Sequence, residues 1–462
     1  MRNSSKLIEK LANKYIAVIG AGLSGIWASI LLSRHCRGVL LSDAKEVAIG
    51  DKELQILKSE NVKIELGKHS DDILRSQLVV VSPGVSPESE VIREIKARKI
   101  EILSEVEIAY WFAKNARIIG ITGSNGKSTT TYLTYQLLKN SKNKVFYGGN
   151  IGIPFSKLIL EASPIDHSTV FILELSSFQL ENTKYFRPYI SAILNITPDH
   201  LDRYRSFESY IGAKLNIYKN QREEDYFVYN YDDPILKERV PRHCKAIPFS
   251  IDTEIPTPVS YKNNSIYSQK GIKIADIKDY PLPGKHNLYN LLASLTIATL
   301  MDTSEELLAK RIPKLKGLEH RVEFVACIKG IKFYNDSKAT NVESVKCAVR
   351  GFNAPVILIL GGKDKGADFY ELRECIKNRV KKSIIMGDCK KKIEEAFRGH
   401  IEYELATTME DAVRKAFSSA EKGDIILLSP ACASFDMYKN FEERGKDFKK
   451  WVRKLQDEHE AS

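Results

Sequence analysis

The segment Ile121-Thr122-Gly123-Ser124-Asn125-Gly126-Lys127-Ser128-Thr129 sets a glycine-rich turn in front of a lysine and two hydroxyls. A strand-like run, 117–122, precedes it, and a helix is expected over 127–140. Backbone N–H groups of such a turn can cradle phosphates, with Lys127 at the β- and γ-phosphates and the Ser128 hydroxyl on Mg²⁺. Ile121 stands where the strict P-loop spacing has its first glycine, so the generic label fits imperfectly. A merely flexible turn would not need strand, lysine, hydroxyl and helix in this order.

Further chemistry-bearing residues follow apolar runs. Glu174 ends FILEL and precedes Ser176-Ser177-Phe178-Gln179, which puts its carboxylate at the sheet edge where doubly wound folds place ligands. In Asn195-Ile196-Thr197-Pro198-Asp199-His200-Leu201-Asp202, a histidine lies between two carboxylates. A single histidine is more often structural than a ligand, and both readings stay open here. Lys214, in a helical stretch over 210–218, reads from composition as a surface residue. Asn287 and Asn290 are three apart on one face of a helix, suited to reading a base edge or ribose, although Asn287 could equally cap that helix.

Gly20-Ala21-Gly22-Leu23-Ser24-Gly25 fits G-x-G-x-x-G, with Asp43 about twenty residues on. Alone, this motif suggests an NAD-linked dehydrogenase; alternatively its small residues only let a helix pack closely on a strand. In the last third, Asn335–Asn341, Gly361–Asp368 and Ser429–Asp436 are polar turns that each follow a strand-like run. If those strands are neighbours, the turns form one rim, and Lys338, Lys365, Thr340 and Ser434 offer donors suited to a dicarboxylate.

The elements that must position these residues read as α/β. Over 1–115, YIAVIG, GVLLS, LVVVS and IEIL alternate with helix-length stretches, the pattern of βαβ units around a parallel sheet. A second segment, 116–317, carries the phosphate-type turn and a less regular stretch near 241–283 that reads as a β-rich insertion. A third, 318–462, opens with a hairpin about Lys329-Gly330 and continues through VILILGG, KSIIMGD and DIILLSP. Three α/β domains on mostly parallel sheets are expected, Rossmann-like at each end and P-loop-like in the middle, since 462 residues exceed one core.

Composition excludes several classes. Seven cysteines without a C-x-x-C pair suggest neither a disulfide framework nor a zinc ribbon. The apolar stretch at the N-terminus is broken by charges, and no apolar run approaches the ~20 residues that span a bilayer. A cytoplasmic protein without a membrane partner is expected. The net charge of +11 is spread along the chain and lacks the aromatic interleaving of nucleic-acid platforms. An anionic small substrate suits it equally well. A nucleic-acid-stimulated ATPase would need steeply salt-dependent DNA affinity, and a dehydrogenase would need NAD(H) binding.

Taken in order, ITGSNGKST, ELSSFQLE, NITPDHLDRY, GKHNLYN, LEHR, NDSKATN, GGKDKGADF and SPACASFDMYKNFEERG resemble the Mur ligase family over nearly the whole chain. The closing motif, with GAGLSG and Ser82-Pro83-Gly84, points to its D-glutamate-adding branch. The resemblance implies an ATP-dependent amide ligase that adds D-glutamate to UDP-N-acetylmuramoyl-L-alanine through an acyl phosphate. It replaces NAD by a UDP group on the first domain, with Leu23, Ser24 and Asp43 facing the uridine diphosphate and Gly84 and Asn150 along the muramoyl part. ATP would meet Gly123, Ser124, Asn125, Gly126, Lys127, Ser128, Thr129, Asn287, Asn290, Arg321 and Asp336. Two Mg²⁺ ions would lie among Ser128, Glu174, His200 and a carbamylated Lys214, with Lys127, His200 and Lys214 catalytic. D-glutamate would meet Thr340, Lys365, Ser434 and Phe441, and a monomer is expected. Ser124, Ser294 and Tyr438 depart from the family's usual Thr, Ala and Phe without removing a group the mechanism needs.

Overall fold

The computed structural model describes residues 2–113, 115–139, 143–198, 203–204, 206–364 and 366–460. Five parallel strands form the first sheet: β1 (Tyr15–Ile19), β2 (Gly38–Asp43), β3 (Lys63–Leu66), β4 (Leu78–Val81) and β5 (Ile102–Ser104), in the order β3-β2-β1-β4-β5. The central strands β1 and β4 are covered on both faces, which is why they read as continuous apolar runs. The edge strand β3, KIEL, is only half buried and carries two charges, so hydrophobic patterning passes it over.

The second sheet holds β6 (Arg117–Thr122), β7 (Lys144–Gly149), β8 (Thr169–Glu174), β9 (Ile190–Ile193), β10 (Tyr226–Asn230) and β11 (Lys245–Phe249). All its pairings are parallel, in the order β11-β10-β9-β6-β8-β7. The expected β-rich insertion is a three-stranded antiparallel sheet of β12 (Val259–Lys262), β13 (Ser265–Ser268) and β14 (Lys273–Asp276).

Two buried glutamates on the helix Glu105–Phe112 tie the first sheet to the second. The Glu107 carboxylate accepts hydrogen bonds from Trp111 Nε1 at 2.7 Å and from the backbone N–H groups of Lys184, Tyr185 and Phe186 at 2.8–3.0 Å. Glu105 Oε1 accepts from Ser156 N and Oγ at 2.6 and 2.7 Å, while its buried Oε2 has no hydrogen-bond partner among the described residues. Burial pushes the Glu105 carboxyl up to about 7.

The third sheet holds β15 (Glu323–Ile328), β16 (Ile331–Asn335), β17 (Val356–Gly361), β18 (Val380–Met386), β19 (Tyr403–Leu405) and β20 (Ile425–Leu428), in the order β15-β16-β20-β17-β18-β19. Strands β15 and β16 form the expected hairpin, with Lys329 and Gly330 both at positive φ, as a two-residue turn requires. The other pairings are parallel. The helix Phe441–Glu460 buries Phe448, Val452 and Leu455 against Phe333, Ile426 and Leu428.

The chain separates into two compact units: 1–281 with 287–315, carrying the first two sheets and the insertion, and 282–286 with 316–462, carrying the third sheet. Among the described residues no helix is long and apolar enough to cross a membrane.

Candidate phosphate and substrate sites

In the first unit the glycine-rich turn lies where the sequence places it, between β6 and the helix Lys127–Leu138. Gly126 is the helix N-cap in the left-handed region (φ 83°), and a Cβ there would collide with the Asn290 side-chain oxygen. Glycine is therefore required both by the turn and by the approach of the helix carrying Asn290. Asn290 Oδ1 also accepts from Thr130 Oγ1 at 3.2 Å, and Ser294 Oγ donates to Thr130 O at 3.2 Å. The serine at 294 thus ties these two helices together. Asn195 holds the turn from the other side, accepting from Ser124 N at 3.0 Å and Asn125 N at 2.8 Å.

Two lysines meet at this turn. Lys127 Nζ donates to Gly123 O and Ser124 O at 2.9 and 2.8 Å. Lys214 Nζ donates to the same Gly123 O at 2.8 Å and lies 4.6 Å from the Tyr210 ring centroid. Lys214 is only 2% exposed, which corrects the surface reading. The helix Phe207–Leu215 turns Tyr210, Ile211, Ala213 and Lys214 inward, and a backbone carbonyl satisfies the buried ammonium. A pattern search that scores lysine as polar has no means of seeing that partner.

Glu174 pairs in register with Ile121, so its carboxylate emerges beside the turn. Its Oε1 accepts from Asn150 Nδ2 at 2.9 Å, and its buried Oε2 has no hydrogen-bond partner among the described residues. Asn150 is thus joined to Glu174, and Asn150 N also donates to Glu174 O at 2.8 Å. Ser128 is buried at the first helical turn and Thr129 follows it half-buried. Asn287 lies inside the helix Lys285–Leu300 and not at its N-cap, and its Oδ1 accepts from Asn290 Nδ2 at 3.2 Å. The two asparagines therefore share one face. Tyr210, whose hydroxyl is 3.0 Å from Ser124 Oγ, and Asn195 are site residues that the sequence did not single out. His200 and Lys365, both expected at the site, lie outside the described residues, as do Asp199 and Asp202.

At the C-terminal edge of the first sheet, Gly20 (φ 97°) begins the turn, and a Cβ on Gly25 would collide with the Gly20 carbonyl. The close-packing role of these glycines is therefore real. Asp43 accepts from Ala21 N at 2.8 Å and Lys45 N at 2.9 Å, bracing the turn from β2. Leu23 is exposed, Ser24 half-buried and Gly84 exposed. Ser82 Oγ donates to Gly20 O at 2.9 Å, and Arg203 Nη1 donates to Pro83 O at 2.8 Å, so the turn at 82–84 is held from two sides.

In the second unit β16, β20 and β17 are neighbours, so the three polar turns do form one rim. Asp336 is buried, accepting from Ser429 Oγ at 2.8 Å and Val322 N at 3.2 Å, and burial pushes its carboxyl up to about 7. The buried Nε of Arg321 has no hydrogen-bond partner among the described residues. Ser434 is buried, Thr340 half-buried, and Phe441 sits 5.5 Å below the Lys338 ammonium.

Arg444, unassigned in the sequence reading although it lies in the closing motif, joins two of the turns. It donates to Ser337 Oγ and O at 3.0 and 2.8 Å and to the carbonyls of Cys432 and Ala433 at 3.1–3.2 Å. Burial pushes its guanidinium down to about 10.

Fold and site define a multidomain α/β protein with a glycine-rich strand-to-helix turn on a parallel sheet and a polar rim on another. The sequence matches the MurD N-terminal domain over residues 15–91, the Mur ligase middle domain over 121–298 and the glutamate ligase domain of Mur ligases over 320–432. It is 43% identical to the UDP-N-acetylmuramoylalanine--D-glutamate ligase of Thermoanaerobacter pseudethanolicus, covering 96% of this chain and 99% of that one. The same-named protein of Koribacter versatilis is 39% identical, with 96% and 98% covered. The fold is also that of UDP-N-acetylmuramate-alanine ligase MurC from Thermotoga maritima (TM-score 0.59, 16% identity, 96% and 100% covered) and of MurF from Acinetobacter baumannii (TM-score 0.60, 15% identity, 94% and 93% covered). The chain belongs to the Mur ligase family.

Proposed function

We propose that the chain is an ATP-dependent ligase that adds D-glutamate to UDP-N-acetylmuramoyl-L-alanine during synthesis of peptidoglycan precursors. The observation that carries this reading is the end-to-end 43% identity to a ligase of that name. Residues 1–115 would hold the UDP substrate, 116–317 ATP, and 318–462 the amino acid and part of ATP. A cytoplasmic monomer acting on small molecules completes the reading.

A carboxylate does not react with an amine at neutral pH. The L-alanyl carboxylate would first take the γ-phosphoryl group of ATP, and the D-glutamate amine would then attack the acyl phosphate, forming the amide and expelling phosphate. Lys127 would exchange its carbonyl partners for phosphoryl oxygens and offset the charge that builds there. The N–H groups of residues 123–129 would hold the phosphates, while Asn287, Asn290, Arg321 and Asp336 would orient the nucleotide. Leu23, Ser24, Asp43, Gly84 and Asn150 would line the UDP substrate. Thr340, Lys365, Ser434 and Phe441 would hold D-glutamate.

Mg²⁺ would screen the phosphate charge. Glu174 Oε2, without a hydrogen-bond partner among the described residues, supports a metal beside the turn, because it is a buried hard oxygen donor. Ser128, Glu174, His200 and Lys214 would hold two ions, with Lys214 carrying CO₂ as a carbamate. Burial of Lys214 beside the phosphate turn supports this role, since a carbamate converts a cation into an oxygen ligand.

Phosphate release with UDP-N-acetylmuramoyl-L-alanine, ATP and a panel of amino acids tests the reading. Release is expected with D-glutamate and not with L-alanine, L-lysine or diaminopimelate. Release independent of D-glutamate would overturn it.

A further inference from the structure

The turn after β18 and the turn after β20 cross the end of β17, which lies between those strands. Glycine makes the crossing possible: a Cβ on Gly362 would collide with Ala433 O, and one on Gly387 would lie 2.6 Å from Gly362 Cα. Hydrogen bonds fix it, from Cys389 N to Gly362 O at 3.1 Å, Lys363 N to Ala433 O at 2.9 Å and Asp388 N to Asp436 Oδ2 at 3.0 Å. The result is that Cys389 and Cys432, 43 residues apart, face each other with their sulfurs at 3.1 Å. Both are buried and neither is bonded to another cysteine.

We propose that Cys389 and Cys432 are a reversible disulfide site, oxidised by peroxides, that reshapes the rim turn carrying Ser434. Disulfide sulfurs stand about 2.0 Å apart, so closure asks for an approach of about 1 Å. Cys389 reacts first. It is the more exposed of the two (4% against 1%) and is the N-cap of the helix Lys390–Phe397, whose free N–H groups favour an anion. Its hydrogen bond with the Cys432 thiol also holds it below the usual thiol range, while Cys432 is raised. The Cys389 thiolate attacks one oxygen of hydrogen peroxide; the O–O bond breaks, the other oxygen leaves as hydroxide and takes up the proton that the Cys389 thiol gave up to become water, and a sulfenic acid remains. The Cys432 thiol, giving up its proton, then attacks that sulfur; the S–O bond breaks and a second water leaves. Two thiols are oxidised by two electrons, one peroxide is reduced, and a low-molecular-weight thiol reverses the bond by exchange.

Movement of Cys432 toward Cys389 displaces the carbonyls that Arg444 grips and, two residues on, Ser434. The effect on D-glutamate rests on the ligase reading; formation of the bond does not.

The full-length protein is treated with hydrogen peroxide, alkylated and digested without reductant. Peptides holding 389 and 432 are expected joined, lighter by two hydrogens, and separable by dithiothreitol. The KM for D-glutamate should rise about tenfold or more in parallel, while Cys389→Ser and Cys389→Ala keep their untreated KM through the same exposure. Both thiols alkylating normally while the exposed Cys327 and Cys347 are oxidised would overturn the site. A joined peptide with unchanged KM would overturn its link to the rim. No D-glutamate-dependent release before treatment would instead sink the ligase reading and leave the joined peptide as it stands.

Discussion

At the scale of single residues, the two lysines on Gly123 O are proposed to have separable roles. If Lys127 meets the transferring phosphoryl group as proposed, Lys127→Ala removes a preorganised cation and turnover should fall by about 10²–10³-fold. Steady-state phosphate release measures it, and near-normal turnover would remove Lys127 from the chemistry. Lys214→Ala should be almost inactive, but acetate or propionate should restore part of the activity by supplying the missing oxygen ligand. The same acids should do nothing for Lys127→Ala; equal rescue of both variants would count against the carbamate. Glu105 makes a different prediction, about pH. Its folded-state carboxyl titrates near 7 against 4.5 when exposed, so the folded protein holds the proton more tightly. Its contribution is fully present below about 4.5 and is lost as pH rises through about 7, a swing on the order of 3 kcal/mol. Relative to Glu105→Gln, the wild type should lose stability between pH 5 and 8 in urea unfolding. A difference independent of pH would show that burial does not shift this carboxyl.

At the scale of elements, the rim depends on the order of three strands and on the arginine that joins two of their turns. If Ser434 holds D-glutamate as proposed, Ser434→Ala removes a donor from that substrate only, so the KM for D-glutamate should rise far more than that for ATP. Parallel changes in both would point to a folding defect. Much of this level was legible in the sequence. The glycine-rich turn announces itself because strand, glycines, lysine and helix are contiguous, and the three rim turns each follow an apolar run. What was hidden has physical reasons. β3 is a charged edge strand, Lys214 is satisfied by a carbonyl remote in sequence, and Arg444 acts through backbone oxygens whose positions no side-chain pattern reveals. Asn195 and Tyr210 likewise act on the loop through long-range hydrogen bonds.

At the scale of the molecule, each unit has its own sheets and apolar cores. A single all-or-none transition is therefore not the expectation. Gly445→Ala would drive a Cβ into the buried His320 ring of the second unit, an overpacking that costs about 1–3 kcal/mol. Calorimetry should show one transition moved by Gly445→Ala and another by Glu105→Gln; a single transition moved by both would mean the units melt as one. The sequence foretold three sheet-bearing segments, but not that the first two share a unit, because the hydrogen bonds of Glu105 and Glu107 that tie them reach residues 51 and 77 to 79 positions away.

The strand order of the third sheet bears on how the protein is made. β20 is the last strand in sequence, yet it lies in the middle, between β16 and β17. A nascent chain emerging from the ribosome displays β16 and β17 long before the strand that joins them exists, each with an unpaired apolar edge. The first sheet is threaded differently, for β5 joins at its margin after β1 and β4 can already pair. Translation that stalls before residue 425 therefore yields a finished first unit attached to two adhesive half-sheets, a species suited to capture by chaperones and to aggregation.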